Sequence, residues 1–407
     1  MLVLGISAHR PGAGVALISD GRVLARAREA RFSGLPDDPA FPRQALRWCL
    51  DAAGANADQL DRVAWAELPA PAFDHALATN LAAFPWSGRE WVRLWAEWLG
   101  GRAWAHAHVH EELDVPADRW VFCPHLDCRA ASAFSASGFS DAAVLVADDA
   151  AEDSPLAVGT GFDGRIVLDR ELPAVDSPLR LARLVLGAAG VPGDDPSRLA
   201  ALTSTGRPRF RDDLARLVRF DDHGAPALDT KLLPPGRGPT RALRRRLARL
   251  GVCDGADLVA SVDALLGDLA VRVAADLCAE TRQRRVCVAG QLARWPGVKR
   301  RLDETFGPAE VYVADDDGDD AALGAALVAW GLAGEGRAPA AREAAPRRPG
   351  WWGRTAPDLG RLLGTFSPER CGWMYPALFL VLELIGLGLL LWWGGPTRDI
   401  PPFYTAP

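Results

Sequence analysis

Apolar runs of four to seven residues, each closed by an acidic-glycine pair, occur twice along this chain in the same order. Residues 2–28 read LVLGISAHRPGAGVALISDGRVLARAR, and Ala142 to Leu172 read AAVLVADDAAEDSPLAVGTGFDGRIVLDREL. The second stretch predicts a strand over Val144–Ala147, an acidic loop, a strand over Leu156–Gly161, a tight turn at Asp163-Gly164 and a third strand through Ile166. The two stretches align without a gap at an offset of 143, Leu2 on Leu145 and Asp20-Gly21-Arg22 on Asp163-Gly164-Arg165. One meander written twice, each followed by helical segments, predicts a duplicated α/β unit in two lobes, 1–140 and 141–332.

Helical periodicity marks 41–53, 179–189, 197–202, 242–250, 256–280 and 321–332, and short apolar runs at 63–66, 120–123, 286–289 and 311–314 predict further strands. From 333 to 350 the chain is rich in Ala, Pro, Arg and Gly, the composition of a flexible linker. Within 351–407, the run 373–393 (WMYPALFLVLELIGLGLLLWW) has the length and the aromatic ends of a membrane span. Arg354, Arg361 and Arg370 precede it and Arg398 follows, so the expectation is a single-pass membrane protein with cytoplasmic lobes. Glu383 lies mid-span and is either protonated against lipid or paired with a neighbouring helix.

With 49% hydrophobic residues among 407, the chain can bury a sizeable core. A net charge of -6 and a pI near 5.7 argue against nucleic acid as a partner. The one basic run, Arg244–Arg246 with Arg249, shares a helix with Leu243, Leu247 and Leu250 and reads as a solvated face. Seven cysteines lack zinc or redox spacing and read as buried thiols. Trp91, Trp95 and Trp98 recur at helical spacing and read as packing. His106, His108 and His110, alternating on a strand, would share a face and could hold a metal; with only Glu111 and Glu112 nearby, a packed or solvated set is the better reading.

The duplicated meander resembles the actin-like and sugar-kinase-like ATPases, whose related halves hold a nucleotide between them. In that fold the first hairpin loop of each half faces the phosphates. Here those loops are His9–Gly14 and Asp149–Ser154. Further segments narrow the resemblance: LGISAHRPGAGVALISDGRVLARAREARF, FPRQALRWCLDAAG, HLDCRAASAF, VAGQLARWPGVKRRL and YVADDDGDDAALGAAL. Together they resemble nodulation-type and antibiotic-type O-carbamoyltransferases over about residues 1–332. The resemblance implies a duplicated actin-like, ribonuclease H-like ATPase fold. It also implies transfer of a carbamoyl group from carbamoyl-adenylate to a hydroxyl, with ATP and a divalent metal as cofactors.

Carried over residue by residue, the resemblance gives His125, Asp148 and Asp319 as metal ligands. Gly12, Gly14, Asp148, Glu152, Gly290 and Gly318 fall in the nucleotide loops, and His9, Arg31 and Arg198 in catalytic places. The family's His-x3-His pair is broken, since Arg129 stands where the second imidazole belongs. Its His-Asp of the first loop falls at Pro11 and Gly12. The Asp-Gly-x-Gly-Glu loop is Asp148-Asp149-Ala150-Ala151-Glu152, and with Asp153 it sets four carboxylates where a triphosphate should rest. Asp319 could bind a metal or belong to a solvated acidic loop. The second family module, implied to make carbamoyl-adenylate, is replaced by the linker and span.

Three functions follow as expectations. One is a degenerate, membrane-tethered homologue serving as partner or scaffold of an active carbamoyltransferase or another membrane protein. The second is a residual transferase, and the third an actin-like ATP-binding regulator.

Overall fold

The computed structural model describes residues 1–334 apart from 11, 36–37, 70, 74–75, 78–87, 103–104, 150–154, 173–176, 192–195, 221–225, 230–231, 234–238, 252–254 and 316–319. The chain divides into two units, Met1–Ala341 and Arg342–Pro407. The expected linker (333–350), apart from its first two positions, and the expected span (373–393) lie outside the described residues. Among those residues no helix is long and apolar enough to cross a membrane.

The first unit carries two five-stranded sheets of the same design. Strands β1 (Leu2–Ser7), β2 (Gly14–Ser19), β3 (Arg22–Arg28), β4 (Arg62–Trp65) and β5 (Trp120–Phe122) lie in the order β3-β2-β1-β4-β5. Strands β6 (Asp141–Ala147), β7 (Leu156–Phe162), β8 (Arg165–Leu172), β11 (Val286–Gly290) and β12 (Val311–Val313) repeat it as β12-β11-β6-β7-β8. In each sheet an antiparallel meander adjoins two parallel strands. That is the mixed sheet, twice over, that an actin-like fold requires. A small ribbon of β9 (Val218–Phe220) and β10 (Pro226–Leu228) stands apart.

Both meander turns form at Asp-Gly, with φ of 48° and 76° at Asp20-Gly21 and 48° and 74° at Asp163-Gly164. Positive φ at both central positions is what a two-residue hairpin needs, and Asp and Gly tolerate it. The ungapped alignment nonetheless slips at the first strand. Ser7 pairs with Gly14, whereas the equivalent pair in the second sheet is Val146 with Ala157, so the second stretch is four residues longer between equivalent pairs. Leu2 is thus matched by Asp141, not Leu145.

The longer helices are α1 (Arg43–Ala53), α2 (Gly88–Gly100), α3 (Ala105–Leu113), α4 (His125–Ser137), α5 (Pro178–Ala188), α6 (Pro196–Thr205), α7 (Arg241–Arg249), α8 (Gly255–Thr281), α9 (Pro296–Phe306) and α10 (Ala321–Gly334). Strand alternation sends Leu4 and Ile6 to a core with Leu46 and Cys49 of α1, and Val3 to the opposite face with Ala322, Ala325 and Ala326 of α10. In the second sheet Leu145 and Val288 pack with α5 and α8, while Val144 and Cys287 pack with Leu126, Ala130 and Phe134 of α4. Helices α4 and α10 also pack on each other, joining the sheets. Helix α7 buries Leu243 and Leu247 and exposes Arg244, Arg245 and Arg249, as its periodicity predicts. Trp98 of α2 is buried and meets Phe73 edge-on, a packing role.

Candidate functional site

Parallel strands leave their carboxyl ends at one edge of a sheet, where open α/β folds gather ligand-binding side chains. At that edge of the second sheet Asp148 follows β6 and is fully buried. Helix α4 starts at His125, and a helix sets residues i and i+4 on one face, so His125 and Arg129 both reach Asp148. His125 Nε2 lies 3.3 Å from Asp148 Oδ2, and Arg129 donates Nε to the same oxygen at 3.0 Å, with Nη2 also at 3.0 Å. The other ring nitrogen, Nδ1, lies 3.2 Å from the Ala66 carbonyl. A carbonyl and a carboxylate both only accept, so each ring nitrogen of His125 faces an acceptor, and whichever carries a proton donates to the one beside it.

An imidazole and a carboxylate so placed are two of the donors that a metal site needs. The remaining donor set does not fit one. The guanidinium of Arg129 is a permanent cation with no lone pair to give, and it occupies the carboxylate that a divalent ion would need. Among the described residues no group of three or more His, Cys, Asp or Glu could hold a metal.

The acidic loop is better compensated than its composition suggests. Besides the Asp148–Arg129 pair, Asp149 accepts from Arg183 at 2.8 Å and from the Ser177 hydroxyl at 3.3 Å. Burial raises the Asp149 carboxyl above its usual range against the pull of Arg183. Each of these two carboxylates therefore has its own cation. Glu152 and Asp153 lie outside the described residues, as do Gly318 and Asp319.

The first loop turns through His9 at φ 59° and Gly12 at φ 80°. Two of its backbone donors are spent on chain closure, His9 to the Pro39 carbonyl at 2.7 Å and Ala13 to that of Asp38 at 3.2 Å. Open space faces Gly12. A Cβ on Gly14 would press on the Ala27 carbonyl, so that glycine serves strand pairing. Gly290, at φ 81°, closes against the Ala147 carbonyl and lets β11 approach β6. Arg31 is exposed and stacks over Trp48 at 4.8 Å. Arg198 is exposed on α6.

The alternating histidines are not on a strand. His106, His108 and His110 lie on α3, where buried Val109 and Leu113 sit one turn apart, and a two-residue step on a helix turns side chains to different sides. His110 pairs with Asp114 at 3.5 Å. His108 instead meets His9, ring centroids 6.0 Å apart, and Phe41 at 5.7 Å.

Burial, then the His108 ring, and with it the Arg102 charge, push the His9 pKa from 6.5 down to about 4. Between those values the unfolded chain binds a proton that the folded chain does not, so stability falls as pH drops from about 6.5 to about 4. The expected contribution is about 1–2 kcal/mol once partial exposure of the ring is allowed for. His9→Asn keeps a residue that tolerates positive φ and should flatten this part of the stability profile in guanidinium titrations. An unchanged profile would show that His9 does not set it.

Sequence reasoning missed Arg10, Glu67 and Arg102. Glu67 lies two residues past the end of β4 and pairs with Arg10 at 2.8 Å and with Arg102. A charged residue closing a buried apolar strand was the available signal.

A duplicated α/β fold with a His–Asp–Arg cluster at its strand ends defines the class. The family described as Carbamoyltransferase N-terminus matches residues 2–208, half of the chain, and the chain belongs to that family. It is similar to the uncharacterized protein sll1178 of Synechocystis sp., 25% identical over 81% of this chain and 57% of that protein. It is also similar to the nodulation protein NolNO of Sinorhizobium fredii, 26% identical over 84% of this chain and 48% of that protein. The chain thus spans about half the length of these curated relatives. Among solved structures it is similar to (R)-2-hydroxyglutaryl-CoA dehydratase component A of Acidaminococcus fermentans, with TM-score 0.46 and 16% identity over 82% of this chain and 99% of that one.

Proposed function

We propose that this protein is a carbamoyltransferase-family member that has lost metal-dependent transfer and acts as a membrane-anchored partner of an active carbamoyltransferase. The observation that carries the loss is Arg129, seated on Asp148 in place of the second imidazole. The membrane anchor rests on the apolar run at 373–393 and on the three arginines before it. A second reading is favoured by the same guanidinium, which supplies positive charge beside His125. In that reading the protein still moves a carbamoyl group from carbamoyl-adenylate to a hydroxyl, with Arg129 stabilising developing negative charge.

Calorimetry on the full chain in detergent separates the two readings. For the partner reading, neither Mn2+, Zn2+ nor Mg-ATP gives a saturable isotherm. Arg129→His restores three ligands with His125 and Asp148, and should tighten Mn2+ or Zn2+ binding by more than the roughly 10–100-fold that an outer-shell group contributes. Stoichiometric metal on the unaltered chain, lost in Asp148→Ala, would overturn the proposal. Turnover of carbamoyl-adenylate without metal would establish the second reading.

A further inference from the structure

A second buried polar cluster sits at the carboxyl ends of β1 and β4. Glu67 is 3% exposed and Arg10 7%. Arg10 and Arg102 both bring a guanidinium Nη2 to the same oxygen, Glu67 Oε1. Burial opposes ionisation of Glu67, but the two arginines outweigh it and hold the carboxyl below its usual range. One carboxylate between two guanidiniums leaves an unbalanced positive charge inside the protein. Among the described residues no second carboxylate pairs with either arginine.

The surrounding groups are donors in excess. Among the described residues five buried side-chain nitrogens have no hydrogen-bond partner: Arg10 Nε, Arg102 Nε, Trp98 Nε1, His9 Nε2 and His108 Nδ1. They belong to one locus. Arg102 lies over the Trp98 ring at 4.6 Å, the His9 and His108 rings are 6.0 Å apart, and Gly101 packs directly on the His9 ring. The arginine and tryptophan nitrogens can only donate, and a neutral imidazole can donate from either nitrogen. Leaving such groups buried without acceptors is costly, and leaving the charge uncompensated costs more.

We propose that Arg10, Arg102, Trp98, His9 and His108 form a binding site for a small oxyanion, a phosphate or carboxylate group, with Glu67 balancing the charge of one of the two guanidiniums. An oxyanion brings the missing negative charge and several acceptor oxygens at once. A cation would add to the excess positive charge, although Glu67 lies between the arginines and Glu111 stands 4.0 Å from His108 Nδ1, and a neutral polyol would leave that excess in place. The site shares no residue with the His125–Asp148–Arg129 cluster but adjoins it, since Glu67 follows Ala66, whose carbonyl lies 3.2 Å from His125 Nδ1.

Thermal unfolding of the full chain in detergent tests this, with sodium phosphate, sodium acetate and sodium chloride compared at equal ionic strength. Phosphate or acetate should raise the midpoint along a saturating binding curve that chloride does not reproduce. Whichever of the two saturates identifies the group. Arg102→Met leaves Arg10 and Glu67 as a balanced pair and should weaken that binding about tenfold or more. Glu67→Gln keeps both arginines and adds positive charge, so it should bind the anion at least as tightly as the unaltered chain. The proposal is overturned if neither oxyanion outperforms chloride, or if Arg102→Met binds unchanged. Should Arg102→Met fail to fold, weaker binding by Glu67→Gln overturns it equally.

Discussion

Arg129→Met lowers the unfolding free energy by about 3–5 kcal/mol, the largest loss expected from a single change near the candidate site. Asp148 has a side-chain exposure of 1%, and Arg129 holds it with two nitrogens at 3.0 Å. Methionine keeps much of the aliphatic volume but removes the cation that a buried carboxylate is seated on. Arg129→Met combined with Asp148→Asn removes both charges and should recover to within about 1 kcal/mol of the unaltered chain. Guanidinium titration followed by tryptophan fluorescence reads both values. A loss under about 0.5 kcal/mol in the single variant would mean that Asp148 is compensated by something other than Arg129. It would also remove the main support for a guanidinium-filled metal seat.

This expectation depends on a substitution visible in the sequence. The step from His125 to Arg129 is about one helical turn, and α4 begins shortly after the strand β5 ends, so the local pattern alone puts i and i+4 on one face. What could not be read was the partner's answer. Whether a carboxylate 19 positions away turns towards the arginine or towards a ligand depends on how β6 and α4 pack, and packing is not written in local pattern. The same gap explains the acidic loop. Composition puts four like charges together, but Arg183 and Ser177, which take up Asp149, are brought in by α5 from more than 25 positions along the chain.

The duplicated meander was legible for a similar reason and failed in a similar way. Asp-Gly turns fix their own hairpins, so the registers of β2 with β3 and of β7 with β8 agree under one offset except between their irregularities, at Leu17/Ile18 and Val158/Gly159. Loop length between strands is invisible to an ungapped match. The four extra residues between equivalent pairs slid β6 against β1 although both strands are mainly apolar. In the histidine segment, alternation suggested a strand, while the burial of Val109 and Leu113 one turn apart decided for a helix. The Arg10–Glu67–Arg102 cluster was beyond reach, because its members are separated by 57 and 35 positions and only the parallel pairing of β1 with β4 aligns two of them.

Two glycines of α10 should answer the same substitution with opposite signs. Glycine inside a helix costs about 0.8–1 kcal/mol relative to alanine, so Gly331→Ala, where an added Cβ meets nothing within 4 Å, should stabilise by up to that amount. At Gly324 the added Cβ would fall on the Cys128 carbonyl of α4. The obstacle is backbone, which cannot rotate away, and overpacking of this kind costs about 1–3 kcal/mol or more. It should outweigh the propensity gain, for a net loss of about 2–3 kcal/mol. The other side of α10 offers no retreat, because Gly5 of β1 already lies against the Ala322 carbonyl. Relief must come from α4 shifting, and Cys128 adjoins Arg129, so the shift pulls the guanidinium from Asp148. Gly324→Ala and Arg129→Met should then be non-additive, the double variant losing less than the two singles together by at least about 0.5 kcal/mol. Strict additivity would mean that α10 and the buried ion pair are mechanically separate, and that the helix joint between the sheets does not set the geometry of the site.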